Sequence, residues 1–399
     1  MSRDFADRLS AIAPSATLAM AAKAAKLRSE GHKVYPFSVG EPDFDTPAHI
    51  RDAAKAALDR GATRYTPVTG TPELKAAICT STEKYRGHKV EPAQIVVSSG
   101  AKHALFNLAL ALYQPGDEVL IPSPFWVSYP EQVRMVGATP VIVPTREQDG
   151  FRLRPEVLQD ALSPRTKAII LCTPSNPTGA AYSKKDLLPL LEVLRKTDVY
   201  IIVDEIYADL VYDGFVHASL PSFASEFRDR TIIVDGVSKT FAMTGWRIGW
   251  TITSNSLAKA IDIVQSQSTT NAAAISQAAA VAALNGPRAE LEVMRRHFSE
   301  RRVVMVEGLR SLPGVSCRMP EGAFYAFPDV RGLFGKKHRG VELVTDHDVA
   351  NWLLDEVHVA SVAGEPFGAP GYLRFSYACA ECDIREALDN MRNAIARLD

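Results

Sequence analysis

The segment 237–250, VSKTFAMTGWRIGW, sets Lys239 directly after Ser238 among small and apolar residues, with Arg247 eight positions later between two tryptophans. A lysine drawn into a half-dry pocket loses its charge more readily than one at a surface, and a neutral amine is both a nucleophile and a base. The arginine adds a permanent cation with several donors, suited to holding an anion. An exposed turn carrying two cations is the plainer alternative, and residues elsewhere must decide. In VYIIVDEIYADLVY, Asp204 ends an apolar run and Tyr207 follows three residues on. A carboxylate buried there needs a cation or donors beside it; a helix cap is the competing role. CTPSNPTGA (172–180) presents Asn176 in a proline-bounded loop, where a rigid turn explains the prolines but not the asparagine. IVVSSGAKHALFNLALAL reads as strand, Ser-Ser-Gly-Ala turn and helix, and the free amides of such a helix start favour an anion. That turn is weak evidence alone, and the absence of GxxxxGK[ST] and GxGxxG leaves a P-loop or dinucleotide reading without support.

Taken together, these groups meet the needs of pyridoxal phosphate. That cofactor requires a lysine for its Schiff base, an anion against its pyridinium nitrogen, donors to its ring oxygen O3′ and a phosphate cradle. Lys239 can supply the first and Asp204 the second. Asn176 and Tyr207 can supply the donors. The amides of Gly100 and Ala101, with Ser238 and Arg247, can supply the cradle.

The elements that must position them are legible from about 45 to 290. Apolar runs at 95–98, 118–122, 139–144, 167–172, 199–204, 231–235 and 248–253 alternate with helical patterns. Several of these runs are continuous, as expected of strands covered on both faces. In DTPAHIRDAAKAALDRG, Asp45 or Thr46 is expected to cap a helix that Pro47 starts and Gly61 closes. The pattern is that of an α/β unit built on a largely parallel, seven-stranded sheet. After about 290 the pattern becomes a charged helix (288–311), short strands near GAFYAF (322–327), a helix near 347–357, the strand YLRFSY (372–377) and a terminal helix. The expected division is a large domain, 45–290, and a smaller α+β domain built from 1–44 and 291–399. A helix at about 16–30 is expected to pack with the latter. A cleft between two such lobes is where small-molecule sites usually form.

Bulk properties exclude several classes. Among 399 residues, Lys plus Arg numbers 45 and Asp plus Glu 46, a balance that gives no electrostatic reason for a nucleic-acid or anionic-membrane partner. The start, MSRDFADRLSAIAPSAT, has no apolar signal region, and AAAISQAAAVAAL (272–284) is too short to span a bilayer and reads as a buried helix. Five cysteines without a leader suit a reducing compartment, which points to the cytoplasm. Cys379 and Cys382 form a CxxC without a second pair or a nearby histidine, so no metal site is expected.

VSKTFAMTGWRIG, TPSNPTG, VDEIY and SVGEPDFDTP resemble the class I aminotransferases of the fold-type-I pyridoxal-phosphate enzymes, closest to the prokaryotic Ib-branch aspartate aminotransferases. The likeness runs from PSAT (14–17) to the strand carrying Arg374. It implies that Lys239 is the Schiff-base lysine and Arg247 a phosphate ligand. By the same likeness Trp126 stacks on the cofactor ring, and Tyr65 reaches the phosphate of a neighbouring subunit in a homodimer with shared active sites. Arg374 and the backbone of Gly40 take the substrate α-carboxylate, with Trp126 and Asn176 also at the substrate.

The implied reaction is a ping-pong transamination between L-aspartate and 2-oxoglutarate, giving oxaloacetate and L-glutamate, with Lys239 moving the Cα proton. Lys102, Ser15 and Thr17 occupy the positions that read the distal carboxylate in that branch. A cation in a helix's first turn opposes the macrodipole, so Lys102 has an anion to meet. Prephenate, aromatic or alanine transamination stays open as an alternative, although Ala13 stands where many prephenate-using relatives have lysine. A β-lyase reaction is the further alternative within the same cofactor chemistry. A transcriptional sensor built on this fold would carry an added basic domain, which a net charge of −1 does not suggest.

Overall fold

The computed structural model describes residues 6–14 and 16–399. Seven of its strands share one sheet: β1 (Ile95–Ser98), β2 (Glu118–Ser123), β3 (Thr139–Pro144), β4 (Thr166–Cys172), β5 (Tyr200–Asp204), β6 (Thr231–Gly236) and β7 (Gly249–Ile252). Their order is β1-β7-β6-β5-β4-β2-β3. β7 pairs antiparallel with β1 and β6, and the remaining pairs are parallel. Each of the seven runs expected from the sequence is one of these strands.

Helices cover both faces. In chain order the helices are α1 (Ala16–Ser29), α2 (Ala48–Asp59), α3 (Pro72–Arg86), α4 (Ala101–Leu112), α5 (Ser128–Met135) and α6 (Pro155–Ala161). α7 (Lys184–Leu194), α8 (Asn255–Ser266), α9 (Ala274–Asn285), α10 (Ala289–Arg310), α11 (Asp346–Val357) and α12 (Glu381–Ile395) follow. Successive side chains of a strand point to opposite faces. Accordingly Ile201 and Val203 of β5 pack with Ile50, Leu74 and Leu191, whereas Ile202 between them packs with Leu105, Leu108 and Ile261. Two-faced burial is why these strands read as unbroken apolar runs.

A further core joins α1, α10, α11 and α12 to a small antiparallel sheet of β8 (Tyr325–Ala326), β11 (Val362–Ala363) and β12 (Leu373–Ser376). β9 (Lys337–His338) and β10 (Val341–Glu342) form a separate two-stranded ribbon. Met20 and Ala24 of α1 are buried in that core, together with Tyr207, Leu210 and Tyr212 from beyond β5.

One local expectation fails. Neither Asp45 nor Thr46 caps α2; Pro47 occupies the cap position without a side-chain bond. The Thr46 hydroxyl is engaged elsewhere, donating to the Ala242 carbonyl (2.6 Å) and accepting from the Trp246 indole (3.0 Å). Long-range bonds to the loop after Lys239 outcompete the local cap. Among the described residues no helix is long and apolar enough to cross a membrane.

Candidate active site

β4, β5 and β6 are neighbours, so their carboxyl ends lie side by side, the edge at which parallel α/β sheets meet ligands. The residues that follow them open into a cavity of about 300 Å³ lined by Asn176, Asp204, Tyr207, Ser238 and Lys239. Ala101 and Lys102 from the start of α4, Trp126 and Arg247 extend the wall, and Thr17, Gly40 and Arg374 close it from the other core. Gly100 lies just behind, against Arg247. The residues expected at the site thus converge, with two exceptions. Tyr65 is 90% exposed and does not line this cavity. Ser15 lies outside the described residues.

Asp204 ends β5 and is buried. Its Oδ2 accepts from the Tyr129 hydroxyl at 2.7 Å, and its Oδ1 from the Ile206 amide at 3.1 Å. Burial pushes the carboxyl up to about 6 against the pull of these two donors. Near neutral pH the group is therefore mostly an uncompensated anion, which a cation sharing its pocket would stabilise.

Lys239 sits three residues beyond β6. Its Nζ donates to the Gly40 carbonyl at 2.7 Å and lies 5.9 Å from the ring centres of both Tyr207 and Phe324. Burial lowers its pKa to about 8, with Arg247 and Arg374 adding to the effect and Glu41 and Asp204 opposing it. The half-dry lysine expected from the sequence is therefore what the fold builds.

At one end of the cavity the structure gathers donors for an anion. Gly100 has φ +90° and caps α4 with no side chain. A Cβ there would stand 2.4 Å from Arg247 Nη2. β7 also presses close to the helix start, since a Cβ on Gly249 would stand 2.2 Å from the Ala101 nitrogen. Arg247 itself adopts φ 56°, ψ 55°, and its guanidinium donates to the Thr244 carbonyl at 2.8 Å and to the Ser99 carbonyl at 3.4 Å, leaving its other donors for a ligand.

At the other end Arg374 is 2% exposed, its Nη1 donating to Asn176 Oδ1 (3.0 Å) and its Nη2 to the Ser38 carbonyl (2.7 Å). Among the described residues its Nε has no hydrogen-bond partner. A buried guanidinium with an unmatched donor and no carboxylate is costly unless a ligand completes it. Lys102 Nζ lies 4.8 Å from the Trp126 ring centre, and partial burial, then Arg247, lower its pKa.

Residues 32–391 match the family described as aminotransferase class I and II. The chain belongs to the class I and II aminotransferases. It is 45% identical over 395 residues to an aspartate aminotransferase of Rhizobium meliloti (strain 1021), covering 98% of this chain and 96% of that protein. An aspartate/prephenate aminotransferase of Cereibacter sphaeroides is 46% identical over 383 residues, 96% of each chain. Among solved structures, the Rhizobium meliloti aspartate aminotransferase superposes with a TM-score of 0.96 at 44% identity over the whole of both chains. The Thermus thermophilus aspartate aminotransferase with maleate does so with a TM-score of 0.92 at 40% identity, over 98% of this chain and 100% of that one.

The aminotransferase works with pyridoxal 5′-phosphate, and its own residues fit that group. The side-chain-free turn at Gly100 and the free donors of Arg247 suit a phosphate. A buried carboxylate at Asp204, with hydrogen-bond donors but no ion-pair partner among the described residues, suits a cationic ring nitrogen. The unmatched Arg374 Nε suits a substrate carboxylate.

Sequence reasoning missed two residues of this wall. Tyr129 orients Asp204, and it stands three positions after Trp126 in the same SPFWVSYP segment. Tyr325 bonds its hydroxyl to that of Tyr207 at 2.8 Å, and it would meet a Cβ on Gly40 at 2.9 Å. Its only signal was a tyrosine in the otherwise apolar strand GAFYAF.

Proposed function

We propose that this aminotransferase moves the amino group between L-aspartate and 2-oxoglutarate by a ping-pong mechanism. The observation that carries the reading is that Arg374 and Lys102, two cations without a carboxylate partner among the described residues, line the same cavity as Lys239. A dicarboxylic amino acid offers one carboxylate to each. Arg374 takes the α-carboxylate with its planar fork, beside Asn176 and the Gly40 backbone. Lys102, with Thr17, takes the distal one.

Lys239, Asp204, Asn176, Tyr207, Ser238, Arg247, Trp126, Gly100 and Ala101 would hold the cofactor. When bound, pyridoxal phosphate supplies the aldehyde that receives the amino group and the ring that absorbs the electron pair left at Cα. The protein's part is binding, orientation and proton movement. Lys239, lowered to about 8, is a competent base near neutral pH; its Nζ accepts the Cα proton and later returns one. Asp204 remains charged once paired with a cation. Trp126 and Tyr207 exclude water around the reacting carbon.

In this reading the chain divides into a large unit, 45–290, and a smaller one assigned to 1–44 and 291–399. The active unit is a homodimer in which Tyr65, exposed in the single chain, completes the phosphate site of the partner. With five free cysteines the cytoplasm is the assigned compartment.

The test is a single half-reaction. Cofactor-loaded protein without acceptor is mixed with L-aspartate, and the cofactor's visible absorbance is followed. Rapid loss of that band with stoichiometric oxaloacetate is the expected result. Inertness toward aspartate combined with conversion by alanine or an aromatic amino acid overturns the substrate, and inertness toward aspartate combined with release of pyruvate and ammonia from an amino acid bearing a β-leaving group, such as cystathionine, overturns the reaction class. Prephenate is then added as acceptor to the aminated enzyme that results, and return of the visible band marks the second activity that the Cereibacter relative carries in its name.

A further inference from the structure

Behind the site lies a buried charge cluster to which the proposed chemistry assigns no role. Arg86, at the end of α3, places Nη1 and Nη2 on the two oxygens of Asp209, each at 3.1 Å, and Nη2 also on Asp235 Oδ2 at 3.2 Å. Its Nε stands 3.6 Å from Glu205 Oε2, which also meets His217 Nε2 at 3.4 Å. Arg288 Nη1 donates to Asp209 Oδ1 at 3.0 Å, and the Thr240 hydroxyl donates to Asp209 Oδ2 at 3.1 Å.

The chain positions of these partners give the cluster its meaning. Glu205 and Asp209 bracket the turn that follows Asp204 and carries Tyr207. Asp235 and Thr240 bracket Lys239, four residues before it and one after. One guanidinium therefore ties together the two segments that deliver the lysine and the carboxylate. The link nearest Lys239 is a single bond, from Thr240 to Asp209. Buried ion pairs contribute little net stability compared with apolar packing of the same volume, but they hold their partners in one geometry.

We propose that Arg86, acting through Asp209 and Thr240, is a positioning residue that fixes Lys239 relative to Asp204. The proposal rests on Lys239 being the cofactor lysine. Small misplacements of a reacting group reduce turnover far more than they reduce binding.

The experiment compares Thr240→Val, Thr240→Ser and Arg86→Lys with the wild-type holoenzyme, with Lys239→Ala as control. Valine matches threonine in shape and lacks the hydroxyl, and lysine cannot span Asp209 and Asp235 as the guanidinium fork does. Expected for Thr240→Val are a kcat about tenfold lower, a KM for aspartate within about twofold, and a midpoint for the pH titration of the visible band moved by about half a unit. Thr240→Ser restores all three, and Arg86→Lys repeats the Thr240→Val pattern. Wild-type kcat and an unmoved midpoint in Thr240→Val overturn the proposal, whatever happens to its thermal midpoint. Should Arg86→Lys fail to fold, the two Thr240 variants decide alone. If Lys239→Ala keeps the visible band, the cofactor assignment itself fails; if it loses the band while Thr240→Val is unchanged, only the positioning role fails.

Discussion

Replacing Asp204 by asparagine preserves the side chain's shape and removes its charge. Burial raises the Asp204 carboxyl from its ordinary 3.8 to about 6, which at about 1.4 kcal/mol per unit amounts to about 3 kcal/mol. The sign follows from proton binding. A carboxyl with a higher pKa folded than unfolded stabilises the fold fully only below the unfolded value, and that contribution is lost as pH rises through the folded value. In the cofactor-free protein the window is therefore about pH 4 to 6, and above it the fold bears the whole burden of a buried anion. Asparagine keeps one acceptor, for the Tyr129 hydroxyl or the Ile206 amide, but turns its own NH2 group toward the other donor, a mismatch that costs about 1 kcal/mol. Cofactor-free Asp204→Asn is thus expected to be more stable than wild type by about 2 kcal/mol near pH 7.5, narrowing to under about 1 kcal/mol near pH 5. Urea unfolding of both apoproteins across that range measures the difference. The same variant is expected to bind pyridoxal phosphate poorly and to turn over little, because the ring nitrogen has lost its anion. A variant less stable than wild type near neutrality, or a difference that does not change with pH, would refute the reasoning.

Gly100→Ala forces a side chain onto a backbone with φ +90° and into the space of the Arg247 guanidinium, so cofactor affinity is expected to fall at least about tenfold by spectroscopic titration. Arg374→Lys replaces a fork by a point charge and strands Asn176 Oδ1 or the Ser38 carbonyl. The KM for aspartate is expected to rise about tenfold or more, with the cofactor's absorbance unaltered. Lys102→Ala is expected to weaken aspartate by about tenfold and leave alanine turnover within about twofold, since only the former has a distal carboxylate; equal effects on both amino acids would remove Lys102 from specificity. Mixing Tyr65→Phe chains with Lys239→Ala chains tests subunit sharing: hybrid dimers are expected to hold one site free of both lesions and to recover activity that neither parent shows.

What could be read from the chain alone follows from where each residue sits. Asn176, Asp204 and Lys239 each come just after an apolar run, and a parallel sheet brings such ends to one edge whatever the details of packing. Tyr129 and Tyr325 were not legible in this way. Each matters through one hydrogen bond to a residue 75 or 118 positions away, and no local pattern announces such a partner. The cap of α2 failed for the same reason in reverse: a threonine beside a proline has a sound local role, yet Trp246 and Ala242, about 200 positions on, claim its hydroxyl. The buried Arg86 cluster lies further out of reach, because α3 reads as an ordinary amphipathic helix ending in a basic residue beside Gly87. Only the fold's placing of Glu205 and Asp209 from beyond β5, and of Asp235 from β6, against that helix end turns a favourable C-terminal charge into the centre of four carboxylate contacts. A strand-end position thus reveals which groups meet the ligand, whereas the groups that hold them in register come from whichever helix the fold happens to lay beneath.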